Sequence, residues 1–333
     1  MVQRDLYADF LKGYAAILVV FGHLMTADAI EGGVCHIVYC SHMPVFFLVS
    51  GYFAVHIEQS SYREICKQKA VRFLIPFLSW TLVAVAAGNF NRLKNGLSVD
   101  ICKIVIKEYL DNILWAKSMW FFLGIFETFI LAKFFLDVWG KNKVLAIIFY
   151  VGLLCVPIPE NLLAINRTRE LFAFWWIGFW LKRYNIHLQG IDRTLIQKKY
   201  RYLVLGSIML IIILLAFNPD FTVWLDNIFF KLCFELLCLS ISLGMICPNL
   251  FRLKSVRKCG ILVGTYSMEC YCIHMMFVKY IVISLPFLRE YISVSILFDF
   301  CKALIIAIIC VIISKYALNK VKLYRKIMLG NWN

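Results

Sequence analysis

Residues 9–24 read DFLKGYAAILVVFGHL: an aspartate and a lysine, an apolar run between Gly13 and Gly22, then a histidine. A bilayer core about 30 Å thick takes roughly 20 mostly apolar residues per crossing helix, so 10–30 is read as a first membrane span. The whole chain has the matching composition. At 333 residues it has the length of two ordinary soluble domains, yet 62% of it is hydrophobic and only 17% charged. Soluble domains stand near 45–50% apolar and about 25% charged. Their interiors grow too slowly with length to hide this much apolar surface. Disorder is excluded because disordered chains lack apolar and aromatic residues. The expectation is an all-α, polytopic membrane helix bundle forming a single domain over 1–333.

Ten candidate spans follow: 10–30, 43–57, 71–88, 118–138, 143–158, 171–183, 202–217, 228–247, 261–283 and 292–314. The second, fifth and sixth are short. The first is not expected to be a cleavable signal peptide, because it lacks a small-residue cleavage site and carries Lys12 and His23. Lys and Arg in the loops set orientation. With the N-terminus inside, the cytoplasmic segments hold Arg63, Lys67, Lys69 and Arg72, then Lys182, Arg183, Arg193, Lys198, Lys199 and Arg201, and a basic C-terminal segment from Lys315 to Lys326. Both termini are therefore expected in the cytoplasm, and the protein in the cell (inner) membrane. The net charge of +15 is a topology signal and does not point to nucleic acid. One loop, 89–117, is basic on the expected outer side. Its Val99, Cys102, Ile106 and Leu110 have the spacing of an amphipathic helix lying on the membrane surface. Cys35 and Cys40 share the first outer loop and are candidates for a disulfide. Asn166-Arg167-Thr168 has the form of a glycosylation sequon. The other cysteines lie mostly in spans, with no paired metal-ligand spacing.

Ionisable residues inside spans are costly and tend to face a cavity or the bundle interior. Lys12 and His23 are eleven residues apart, which leaves them about 20° from the same helix face and about 16 Å apart along the axis. Asp9 lies on that face too, placed to pair with Lys12. In the second span, His42, Phe46, Ser50 and Phe53 follow helical spacing, and Pro44 suits a first-turn position. In the ninth, Ser267, Tyr271 and His274 stand at i, i+4 and i+7 on one side of a helix. For each, packing or an interhelical hydrogen bond is the alternative explanation. The Lys12–His23 stripe and the second histidine aligned with a tyrosine favour chemistry.

Taken together, these stretches resemble the acyltransferase-3 family of membrane O-acyltransferases. Lys12 followed by ten residues and His23 resembles the family's first-helix signature, although Lys12 stands where many members carry Arg. His42-Met-Pro-Val-Phe-Phe-Leu-Val-Ser50-Gly51-Tyr52 is similar to the second-helix motif. Arg72 to Trp80 resembles the third, Trp120-Phe121 the fourth, and Ser267 with Tyr271-Cys-Ile-His274 a late Ser/Tyr/His motif. The chain ends soon after its last span, so a fused hydrolase-like domain is not expected.

The resemblance implies an enzyme that carries an acyl group, most often acetyl from cytoplasmic acetyl-CoA, to a hydroxyl of a cell-surface or lipid-linked glycan. No permanently bound cofactor is expected. Lys12, Arg72 and Lys69 are candidates to hold the phosphates of coenzyme A. His23 is the candidate general base or a covalent acyl carrier, and the residues leave both routes open. Tyr271, His274 and Ser50 are candidates to orient the acceptor or to donate to the tetrahedral oxyanion; His42, Trp120 and Ser267 are candidates for acceptor binding. The rival class is a secondary transporter with buried His, Lys and Glu as a proton or substrate path. Against it, the sequence shows neither repeat halves nor matching broken spans.

Overall fold

A computed structural model describes residues 4–25, 29–94, 96, 98–159, 162–190, 228–281 and 292–330. The expected span 202–217, together with Arg193, Lys198, Lys199 and Arg201, lies outside the described residues. Over the described residues the chain is helical apart from short connections, and it contains no strand.

Numbered over these residues, the helices are α1 (Leu6–Leu24), α2 (Ala29–Tyr52), α3 (Tyr62–Gly88), α4 (Phe90–Lys94), α5 (Val99–Leu114), α6 (Trp120–Lys141) and α7 (Lys143–Cys155). They continue with α8 (Ile165–Arg183), α9 (Ile228–Arg252), α10 (Lys254–Thr265), α11 (Ser267–Ile281), α12 (Ile292–Tyr316) and α13 (Lys322–Leu329). One π-turn lies inside α3 at Ala70–Leu74 and another inside α9 at Ser242–Ile246. Among the described residues, three helical stretches, Tyr62–Gly88, Ile228–Arg252 and Ile296–Lys320, are long and apolar enough to cross a membrane. The pair α10 and α11 makes a fourth if its two arms count as one span.

Three expectations change. The second helix begins at Ala29, so the stretch taken for an outer loop is its first half and Pro44 lies inside the helix. Proline removes one backbone donor there; one turn earlier, the Ser41 hydroxyl and the His42 ring donate to the carbonyls of Ile37 and Val38. Cys35 and Cys40 therefore stand five residues apart on one helix, about 7.5 Å along its axis, and are not bridged to each other. Helix geometry holds them too far apart for the usual disulfide span. The ninth span is not straight: the chain turns by 87° between α10 and α11.

The chain forms two compact units, one of Met1–Val55 with Phe174–Tyr316 and the other of His56–Ala173 with Ala317–Asn333. In the first, α1 packs on α2, α10, α11 and α12. Its contact with α10 is made through glycines. A Cβ on Gly13 would overlap the Gly260 carbonyl, and one on Gly264 would overlap the Asp9 carbonyl. The pairing of 13 with 260 and 9 with 264 runs the two helices antiparallel. Gly260-x-x-x-Gly264 is the small-residue spacing that lets helices approach backbone to backbone. Phe251 closes one end against Phe10, edge to face at 5.3 Å. The same device joins α2 to the later half of α8, where Gly51 abuts the Trp175 carbonyl and Gly178 the Leu48 carbonyl.

In the second unit, the Trp80 indole on α3 donates to the Met328 carbonyl of α13 at 2.9 Å, and Tyr324 meets the Trp80 ring edge-on at 6.3 Å. Arg169 closes the C-terminal end of α7 by donating to the carbonyls of Leu153 and Val156. The amphipathic helix expected in 89–117 is present as α5, capped by the Ser98 hydroxyl. Val99, Ile106 and Leu110 are exposed along it. It is tied back by Glu108, which accepts from Asn89 and Arg92, and by Tyr109, which donates to the Leu78 carbonyl at 3.2 Å.

Candidate active site

Most site candidates of the first unit gather at the two ends of α1. At the N-terminal end, Asp5 caps the helix by accepting from the Tyr7 and Ala8 amides. Asp9 is buried and pairs with the Lys12 ammonium at 2.7 Å and with the Arg4 guanidinium. Arg4 also donates to the Thr265 hydroxyl at the end of α10, at 2.5 Å. The expected Asp9–Lys12 pair is present, and it is part of a four-residue polar cluster that ties α1 to α10. Lys12 is half-buried.

At the other end, His23 sits in the last turn of α1. Its ring centroid is 5.3 Å from that of His274 on α11, with the planes tilted by 32°. Tyr39 on α2 meets His23 edge-on at 6.1 Å, and its hydroxyl is 3.5 Å from His23 Nδ1. The Tyr39 ring also lies 5.3 Å from His42, and Tyr271 lies 6.2 Å from His274. Three helices thus bring three imidazoles and two phenol rings into one cluster. His23 keeps an exposed edge, while His42 and His274 are each 1% exposed.

Hydrogen bonding fixes two of these rings. His42 Nδ1 donates to the Val38 carbonyl at 2.6 Å, and His274 Nδ1 donates to the Cys270 carbonyl at 2.8 Å. Each is a bond to the carbonyl four residues back, and a carbonyl only accepts. The neutral ring therefore carries its hydrogen on Nδ1 and leaves Nε2 as an acceptor. Such rings suit proton acceptance and are held in one orientation.

The remaining candidates are spread more widely. Ser50 is half-buried on α2, eight residues and about 12 Å beyond His42. Ser267 opens α11, seven residues and about 10 Å before His274. In the second unit, Lys69 is buried with its ammonium 4.0 Å above the Phe129 ring, a contact worth up to about 2 kcal/mol when desolvated. Arg72 is exposed within the π-turn of α3. Trp120 opens α6 with the Arg167 guanidinium 4.5 Å from its ring. Beside Arg167, the Thr168 hydroxyl donates at 2.7 Å to Glu127, a residue that the sequence did not single out. Tyr39 is the main omission at the histidine cluster; its i, i+3 relation to His42 marks it once the helix is started at Ala29.

A family model described as an acyltransferase domain matches residues 5–315. The chain is 28% identical over 192 residues to nodulation protein NolL of Sinorhizobium fredii (strain NBRC 101917 / NGR234), covering 53% of this chain and 48% of that protein. It is 29% identical over 144 residues to nodulation protein NolL of Mesorhizobium japonicum (strain LMG 29417 / CECT 9101 / MAFF 303099), covering 39% and 36%. The chain thus spans about half the length, or less, of these curated relatives. No solved structure matches. Since the family match takes in α1 with its Lys12–His23 stripe and α11 with His274, the chain belongs to the acyltransferase-3 family.

Proposed function

We propose that the protein is a multi-pass inner-membrane O-acyltransferase with both termini in the cytoplasm. It moves an acyl group, acetyl foremost, from cytoplasmic acetyl-CoA to a hydroxyl of a cell-surface or lipid-linked glycan. The observation that carries this reading is the His23–His274 contact at 5.3 Å, at the far end of the helix that bears Lys12. Acyl transfer to a hydroxyl needs a proton acceptor beside the acyl carbon, and this cluster supplies imidazoles fixed in accepting orientation. Family membership supplies the reaction class.

In this reading His23 is the reacting imidazole, either as general base toward the hydroxyl or as transient acyl carrier. Lys12 holds the donor's phosphates. Tyr271, His274 and Ser50 orient the acceptor or stabilise the tetrahedral state, and His42 and Ser267 contact the acceptor. Lys12 acts as a point charge, since an ammonium lacks the two-pronged geometry of a guanidinium.

The test is thioester consumption by the purified full chain in lipid nanodiscs, given acetyl-CoA and an extract of envelope glycans from its own host. Release of coenzyme A thiol that depends on the extract is the expected result. A rate equal to that of empty nanodiscs would remove the enzymatic reading.

A further inference from the structure

His274 has an uncommon combination of features. It is 1% exposed, its Nδ1–H is committed to the Cys270 carbonyl at 2.8 Å, and its buried Nε2 has no hydrogen-bond partner among the described residues. Leaving a buried acceptor unpaired costs about 1–3 kcal/mol, and buried polar atoms are otherwise nearly always satisfied. What satisfies Nε2 must be a donor. A thioester carbonyl only accepts, so the acyl end of the donor substrate does not fit. A sugar hydroxyl fits as both a donor and the group to be acylated. The neighbouring imidazole, His23, is 5.3 Å away and keeps an exposed edge, so a molecule bound at His274 lies beside the residue at which the acyl group is expected.

We propose that His274 Nε2 is the site at which the acceptor hydroxyl docks and to which it gives up its proton, leaving His23 to act on the acyl side. This rests on the O-acyltransferase reading and divides the work between two imidazoles. The hydroxyl oxygen bonds to the acetyl carbonyl carbon as the carbon–sulfur bond breaks. The hydroxyl proton passes to His274 Nε2 and then to the departing thiolate, so the products are an ester and free coenzyme A thiol. The resulting imidazolium keeps its Nδ1–H on the Cys270 carbonyl, so the ring need not turn. A neutral ring with this tautomer has no hydrogen on Nε2, so before the proton moves His274 can only accept there.

His274→Asn separates the roles, because the amide retains a donor for the Cys270 carbonyl and removes the Nε2 lone pair. Host membranes carrying the full chain are given carbon-14-labelled acetyl-CoA, and base-labile label in their endogenous glycans is counted. The Asn variant should lose about 100-fold or more in kcat, the usual size of general-base catalysis, with the acetyl-CoA KM within about twofold. Transfer within about threefold of wild type would overturn the proposal. If the Asn variant does not accumulate, His274→Ala with added imidazole decides. Partial recovery of the rate supports the base role, and no recovery overturns it. Wild-type membranes that transfer no label would remove the O-acyltransferase reading and this inference together, whereas active wild type with an active Asn variant removes the inference alone.

Discussion

Gly13 on α1 and Gly260 on α10 hold two backbones in direct contact, so closely that a Cβ on Gly13 would overlap the Gly260 carbonyl. The neighbouring contact of Gly264 with the Asp9 backbone is equally tight. These contacts set the position of α1, which carries both Lys12 and His23. Gly13→Leu should therefore force the helices apart and lower stability by about 1–3 kcal/mol or more, the usual cost of overpacking. A lower melting temperature in detergent and reduced accumulation in membranes are the expected readings; an unchanged melt would show that α10 is not clamped there.

Asp9 is the shared partner of Arg4 and Lys12. Asp9→Asn leaves two cations without their carboxylate, but both are partly exposed, which screens the loss. The expected cost is about 1–3 kcal/mol, read as a fall in thermal stability that added salt partly masks. Lys12→Ala should act differently, raising the apparent acetyl-CoA KM severalfold while leaving kcat close to wild type. An unchanged KM would take Lys12 out of the donor site.

Tyr39 touches His23 and His42 with its ring and approaches His23 Nδ1 with its hydroxyl. Tyr39→Phe keeps the ring and removes the hydroxyl. The expectation is a loss of about tenfold in kcat, the size of one modest hydrogen bond of about 1.4 kcal/mol, with the acetyl-CoA KM unchanged. Steady-state kinetics on the variant decide this, and full activity would leave Tyr39 a packing residue.

The Trp80 indole anchors α13 through the Met328 carbonyl. Trp80→Phe should loosen the C-terminal helix. Limited trypsin digestion, aimed at Lys322, Arg325 and Lys326, should then cleave that segment several times faster than in wild type, with equal rates as the contrary result.

Local patterns were legible in the sequence and long-range ones were not. The all-helical class follows from apolar content alone. The Asp9–Lys12 pair and the shared face of Tyr271 and His274 follow from helical spacing, and both stand in the structure. The Tyr39 contribution was hidden because 31–42 fell between two expected spans and read as a loop, whereas α2 starts at Ala29. The 87° turn beside Tyr266 carries no proline to announce it, so 261–283 read as one straight span. Arg4 meets Thr265 across 261 positions of sequence, a relation that no local spacing encodes. Gly260-x-x-x-Gly264 was visible as a spacing, but only the structure shows that Gly13 is its partner.

The most direct measurement of the central claim is the mass of surface glycans from a strain whose own copy is replaced by His23→Ala, with the variant's membrane level matched to wild type by immunoblot. The account predicts that the O-acetyl mass increment present in the parent disappears, as it does in the deletion strain. An increment equal to the parent's, at matched protein level, would contradict it and remove His23 from the chemistry.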